Sequence, residues 1–156
     1  LALGRGPAEV TGAAGPAPVL LPDHVALVGF RALDPGERQP LGDLGLALPA
    51  EAAKKLGMHV TAALAMDAVE NGDGPVLVHL DVDVLDPAEM AAKETLTPGV
   101  GLTFPELRNL LTALMASPRV VALEVVEFSP DRDPDGVLAR QLVDLLAEAV
   151  GRRFRR

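Results

Sequence analysis

Three short apolar runs constrain this chain more than any other feature: His24 to Phe30 (HVALVGF), Val76 to Val82 (VLVHLDV) and Val120 to Val126 (VVALEVV). The first is a short continuous apolar run with β-branched residues, typical of a strand buried on both faces, and the second reads as another buried strand. The third reads as a strand beside them. Helical spacing fills the stretches between. Ala50 to Lys55 is a short helix, and Val60 to Glu70 is a longer one ended by Asn71-Gly72-Asp73-Gly74. Phe104 to Ala116 is a helix whose Thr103 is a good N-cap, with Glu106 three residues on completing a capping box. Val137 to Val150 is amphipathic, its apolar positions at 138, 142, 145, 146 and 149 spaced by three and four. Strands alternating with helices imply right-handed crossovers and a mostly parallel sheet covered on both sides. The expected class is α/β, a three-layer sandwich.

The remaining segments set limits. Residues 4 to 22, rich in Gly, Pro and Ala, read as irregular connection, so 1–22 leads into one domain that runs on to residue 156. Arg31 to Gly45 reads as a loop. With 49% apolar residues the chain can bury a sizeable core. A net charge of −8 argues against a nucleic-acid surface. The basic run Arg152, Arg153, Arg155 and Arg156 suits the last turn of a helix and its tail. No cysteine is present, which excludes disulfides, thiolate catalysis and zinc–sulfur sites and fits a cytoplasmic protein. No apolar stretch reaches the roughly 18 residues that a membrane span needs. Leu1-Ala2-Leu3-Gly4 offers neither an initiator Met nor the basic flank of a signal peptide, so the chain reads as a piece of something longer.

The chemistry concentrates at His79-Leu80-Asp81-Val82-Asp83-Val84-Leu85-Asp86-Pro87. Alternation along a strand puts Asp81 and Asp83 on one face, at the carboxyl end where open parallel sheets bind their ligands. Two carboxylates held that close repel each other unless a cation neutralises them, and an oxygen-rich site suits manganese or magnesium. Both aspartates could instead simply brace the loop. Asp86, followed by Pro87, reads as a structural N-cap. His79 shares the aspartate face and reads as a hydrogen-bonded sheet histidine or a ligand. His24 and His59 have no suggestive acidic neighbours. Glu127, where the third strand leaves the sheet, lies on the aspartates' edge if the strands are parallel, and a carboxylate there can pair with a planar guanidinium. Glu124 is expected to point the other way.

Three ordered motifs then carry a resemblance: Asp81-Val82-Asp83-Val84-Leu85-Asp86-Pro87, Thr97-Pro98-Gly99-Val100-Gly101-Leu102-Thr103 and Val126-Glu127-Phe128-Ser129-Pro130. Together they resemble the second half of the ureohydrolase family, which comprises arginase, agmatinase, formiminoglutamase and relatives. Gly29-Phe30-Arg31-Ala32-Leu33-Asp34-Pro35-Gly36-Glu37 looks like the GLRDVDPGE segment of arginases, with Ala32 in place of an acidic residue, and favours arginase over agmatinase. The resemblance covers roughly residues 20 to 150 and implies a carboxyl-terminal portion of an arginase-like domain. It implies that Asp81 bridges two manganese ions and that Asp83 binds one of them. It implies that Glu127 holds the substrate guanidinium with Thr97 beside it, and that Asp34 and Glu37 recognise the amino-acid end of arginine. The implied reaction is metal-assisted hydrolysis of a guanidino group, releasing urea. The implied assembly is a trimer or hexamer.

The departures weigh as much as the matches. The family's first half supplies the other ligands through GGDH and DAHxDxH motifs, and a proton-shuttling histidine through an HG segment; none occurs here. Two of the six expected metal ligands are present, and no residue of this chain is assigned a catalytic role. The leading expectation is therefore a fragment of an arginase-like manganese hydrolase, inactive by itself. The alternatives are a non-catalytic stand-alone binding or assembly domain, another ureohydrolase such as agmatinase or formiminoglutamase, and a deacetylase of related fold, whose DxH strand end Asp81-Val82-Asp83 does not match.

Overall fold

The computed structural model describes residues 2–13, 15–69, 74–93 and 99–154. Its strands form two parallel pairs. Strand β1 (Ala26–Phe30) pairs with β2 (Leu46–Pro49), and β3 (Val76–Asp81) pairs with β4 (Val120–Val126). The architecture is α/β with parallel strands, as expected, although the described strands make two sheets rather than one. Strand β2 is a finding: its four residues, ending on a proline, are too short an apolar run to recognise, and pairing with β1 is what makes it a strand. Two helical turns also lie in stretches expected to be irregular, α1 (Ala8–Thr11) and α2 (Arg38–Leu41).

Four longer helices supply the packing: α3 (Ala50–Leu56), α4 (Met58–Ala68), α5 (Phe104–Met115) and α6 (Val137–Phe154). The expected capping box opens α5. Thr103 Oγ1 accepts from the Glu106 amide at 3.3 Å, and the Glu106 carboxylate accepts from the Thr103 amide at 2.8 Å. That carboxylate also takes an ion pair from Lys54 on α3 at 2.8 Å. Asp133 caps α6, accepting from Leu138 and Ala139 amides at 3.0 and 2.8 Å.

The main core joins Val76, Val78 and Leu80 of β3 to Leu107 and Leu111 of α5 and Leu142 and Leu145 of α6. A smaller core joins Val28 and Leu48 of the first pair to Ala53 of α3, Ala62 of α4 and Leu110 of α5. Burial of such side chains contributes about 1.5–3 kcal/mol each. The expectation that β1 and β3 are buried on both faces is corrected: Leu27 of β1 and Leu77 and His79 of β3 are exposed, as is Val121 at the bulge opposite Val76 and Leu77. The described helices lie against one face of β3, and an apolar strand reads the same whichever face is covered.

Candidate functional site

Both strands of the second pair run out at one edge. The register sets Asp81 opposite Val126, so Glu127 follows immediately beside the aspartate segment. The edge that the sequence implied is therefore assembled. Glu127 leaves the strand in the left-handed region, at φ 67°, the only non-glycine residue among those described to do so. Such a backbone costs on the order of 1–3 kcal/mol and persists where the surroundings impose it.

Asp83 is not placed by strand alternation. The strand ends at Asp81, whose carboxylate accepts the Asp83 amide at 2.7 Å and starts a 3₁₀ turn over Val82–Val84. The two aspartates are neighbours across this turn rather than rungs of one strand face. An Asp at a strand end can satisfy an amide two residues on, and here that local bond overrides the period of two.

Two cations brace the turn from inside. Arg31, the residue after β1, donates from Nη1 to the Val84 carbonyl at 3.0 Å and the Leu85 carbonyl at 3.4 Å. Lys93, its side chain wholly buried, donates from Nζ to the Leu85 carbonyl at 2.9 Å and the Asp83 carbonyl at 3.4 Å. The same ammonium stands 3.8 Å from the Asp83 carboxylate. Burial pushes Lys93 below the ordinary lysine value, while the Asp83 charge acts the other way. Neither cation was singled out from the sequence. The available signal for Lys93 was a lone lysine after the apolar Met90-Ala91-Ala92.

Asp86 braces a turn rather than capping a helix, since no helix directly follows it among the described residues. It accepts from the Ala88 amide at 2.9 Å and the Gly101 amide at 3.0 Å, and these two bonds hold its carboxyl below the ordinary value. Close approach explains the glycines here. A Cβ on Gly101 would meet the Asp86 nitrogen at 2.4 Å, and one on Gly29, at φ 88°, would meet the Val84 side chain at 2.4 Å.

His79 hydrogen-bonds Glu124 on the adjacent strand, both side chains half-exposed on the open face. Glu124 thus faces away from the core beside His79. Asp34 and Glu37 sit together in one exposed turn, with the Glu37 carboxylate accepting the Asp34 amide at 2.7 Å. Arg31 ties the start of that segment to the 84–85 carbonyls. Thr97 lies outside the described residues.

A two-ion manganese centre is not fitted by these residues alone. Among the described residues no group of three or more His, Cys, Asp or Glu is placed to hold a metal ion. The edge offers the carboxylates of Asp81 and Asp83, one of them already accepting an amide and the other facing Lys93.

Fold and edge together define an α/β protein whose carboxylates gather beyond the carboxyl ends of parallel strands. The chain belongs to the arginase family, whose model, described as "Arginase family", matches residues 11–151. Arginase from Agrobacterium fabrum is 34% identical over 133 residues, which cover 85% of this chain and 41% of that protein. Arginase from Saccharomyces cerevisiae is 39% identical over 116 residues, 72% of this chain and 34% of that protein. The crystal structure of arginase from Bacillus subtilis matches with a TM-score of 0.86 at 28% identity, covering 96% of this chain and 53% of that one. The chain thus spans about half or less of the length of these relatives.

Proposed function

We propose that this chain carries the carboxyl-terminal share of a ureohydrolase site of the arginase type, which hydrolyses L-arginine to L-ornithine and urea. The observation that carries the reading is the register that sets Glu127 beside the Asp81–Asp83 turn at the carboxyl edge of a parallel pair. Glu127, exposed and carboxylate-bearing, pairs with the planar guanidinium through two parallel hydrogen bonds. Asp34 and Glu37 meet the ammonium end of the amino acid from their common turn. Asp81 and Asp83 are the chain's contribution to a manganese site that needs further ligands, imidazoles included. This share of the site by itself turns over no substrate. The complete enzyme is cytoplasmic and works as a trimer or hexamer.

Among the described residues no helix is long and apolar enough to cross a membrane. One observation favours a second reading, a non-catalytic binding or assembly domain. Lys93 supplies a cation to the aspartate turn from within the chain, so the Asp83 charge is offset in part without a metal.

Three measurements decide. The mass of the protein as its gene expresses it, set against 16.2 kDa, shows whether further ligands exist. In that expressed protein Glu127→Gln abolishes urea release and leaves manganese binding nearly unchanged, since a neutral amide cannot pair with guanidinium. Metal lost together with activity would make Glu127 a ligand or a structural residue instead. The 156-residue chain alone, given manganese and arginine, releases no urea; turnover on the order of 10 per second would show the site complete as it stands.

A further inference from the structure

A wholly buried lysine needs a reason. An ammonium withdrawn from water costs several kcal/mol unless charge and hydrogen bonds compensate. Lys93 has both, and both come from one place: the carbonyls of Asp83 and Leu85 and the Asp83 carboxylate. Its main chain is engaged elsewhere. Lys93 forms an antiparallel bridge with Phe128, and the Ser129 amide donates to the Ala92 carbonyl at 2.9 Å. Phe128 and Ser129 directly follow Glu127. One residue therefore holds the aspartate turn with its side chain and the glutamate's strand end with its backbone.

We propose that Lys93 is a positioning residue of the candidate site, a built-in cation that fixes the Asp83 turn in register with the Glu127 strand end. The proposal rests on reading this edge as the reactive one, but its physical content is the Lys93–Asp83 coupling and its reach to Glu127. A rigid brace of this kind suits a site whose carboxylates must keep their spacing. Arg31 holds the Val84 carbonyl from the opposite side of the sequence, so the turn is pinned by cations from two segments distant along the chain. Lys93 also reaches the glutamate segment, through its bridge to Phe128.

The test uses the 156-residue chain with Lys93→Met, Asp83→Asn and the double variant. Methionine fills much of the lysine's volume without the charge. Each single substitution should raise the unfolding equilibrium constant, and the double variant should fall short of the product of the two by about fivefold or more, as directly interacting pairs do. Amide NMR shifts should move at Val84 and Leu85 in Lys93→Met, and at Glu127 and Phe128 in both single variants. An additive cycle, or shifts confined to residues near each substitution, would overturn the proposal.

Should Lys93→Met fail to fold, Asp83→Asn suffices. A buried, hydrogen-bonded ammonium exchanges slowly enough to give its own nitrogen resonance, and losing the facing carboxylate should displace it. A resonance that is absent from the unsubstituted chain, or unmoved by Asp83→Asn, refutes the proposal. Urea release by the expressed protein is read separately. Its absence alongside an intact coupling would sink the hydrolase reading while the brace stands.

Discussion

The two strand pairs share a parallel pairing and little else. The pair β3–β4 lies on a core that draws fully buried side chains from two helices, Leu107 and Leu111 of α5 and Leu145 of α6. The pair β1–β2 lies on a smaller one, where Leu102, Ala53 of α3, Met58 and Ala62 of α4 and Leu110 of α5 meet half-buried Val28 and Leu48. The carboxylates proposed for metal and guanidinium stand at the edge of the firmer pair. Those proposed for the amino-acid end, Asp34 and Glu37, follow the looser one in an exposed turn. Under the proposed roles the contrast separates duties: the metal and guanidinium carboxylates are built on the larger core, and those for the amino-acid end on the smaller one.

The largest test of this contrast is truncation of the cores. Leu145→Ala, at a fully buried position, should cost about 2–5 kcal/mol in denaturant unfolding. Leu48→Ala should cost roughly 1–2 kcal/mol, because the residue is only partly withdrawn from water. Equal costs would erase the distinction. Amide exchange should agree, with Val28 exchanging well before Leu80.

A smaller effect of opposite sign belongs to Glu127. Replacing it by glycine removes a side chain from a left-handed backbone and should stabilise the chain by about 1 kcal/mol. In the expressed protein the same change should abolish urea release. Stability gained as activity disappears would identify the strain as serving function, whereas a destabilised variant would make Glu127 a structural residue.

The smallest expected effect is acidic. Asp86 has a folded pKa held below its unfolded value by two amides, so the unfolded chain takes up a proton there first as pH drops. Its contribution is present above the unfolded carboxylate range, near 3.9, and is lost as pH falls through the folded pKa. Asp86→Asn should flatten this part of the acid-unfolding profile. Glu106 and Asp133 add to the same arm: burial pushes both upward, and Lys54 for one and the α6 amides for the other outweigh it. An unchanged slope in Asp86→Asn would assign the acid arm to other carboxylates.

What could be read from the sequence was what depends on neighbours a few residues apart. The capping box of Thr103 and Glu106 and the strand Val120–Val126 were found where the pattern put them. The Asp81–Glu127 edge followed once the strands were taken as parallel. Strand β2 was not legible, because four residues become a strand only beside β1. The alternation argument for Asp83 failed because one side chain captured an amide two residues on, a choice between local bonds that composition does not reveal. Lys93 was invisible for a different reason. Its burial is decided by Leu85 and Phe128, which its own neighbourhood in the sequence does not announce. The left-handed turn at Glu127 likewise belongs to the ladder before it and the bridge after it.

The parallel ladder of β3 and β4 also dictates an order of events in time. Its partners, His79 and Glu124 among them, lie 45 residues apart, with α5 between them. A self-capped helix can form within microseconds, whereas a parallel pairing must wait for the closure of that long loop. The carboxylate edge therefore comes into existence late on the folding route, after the helix that supports it, and the bulge between Val76 and Leu77 fixes which rung meets which as the ladder closes.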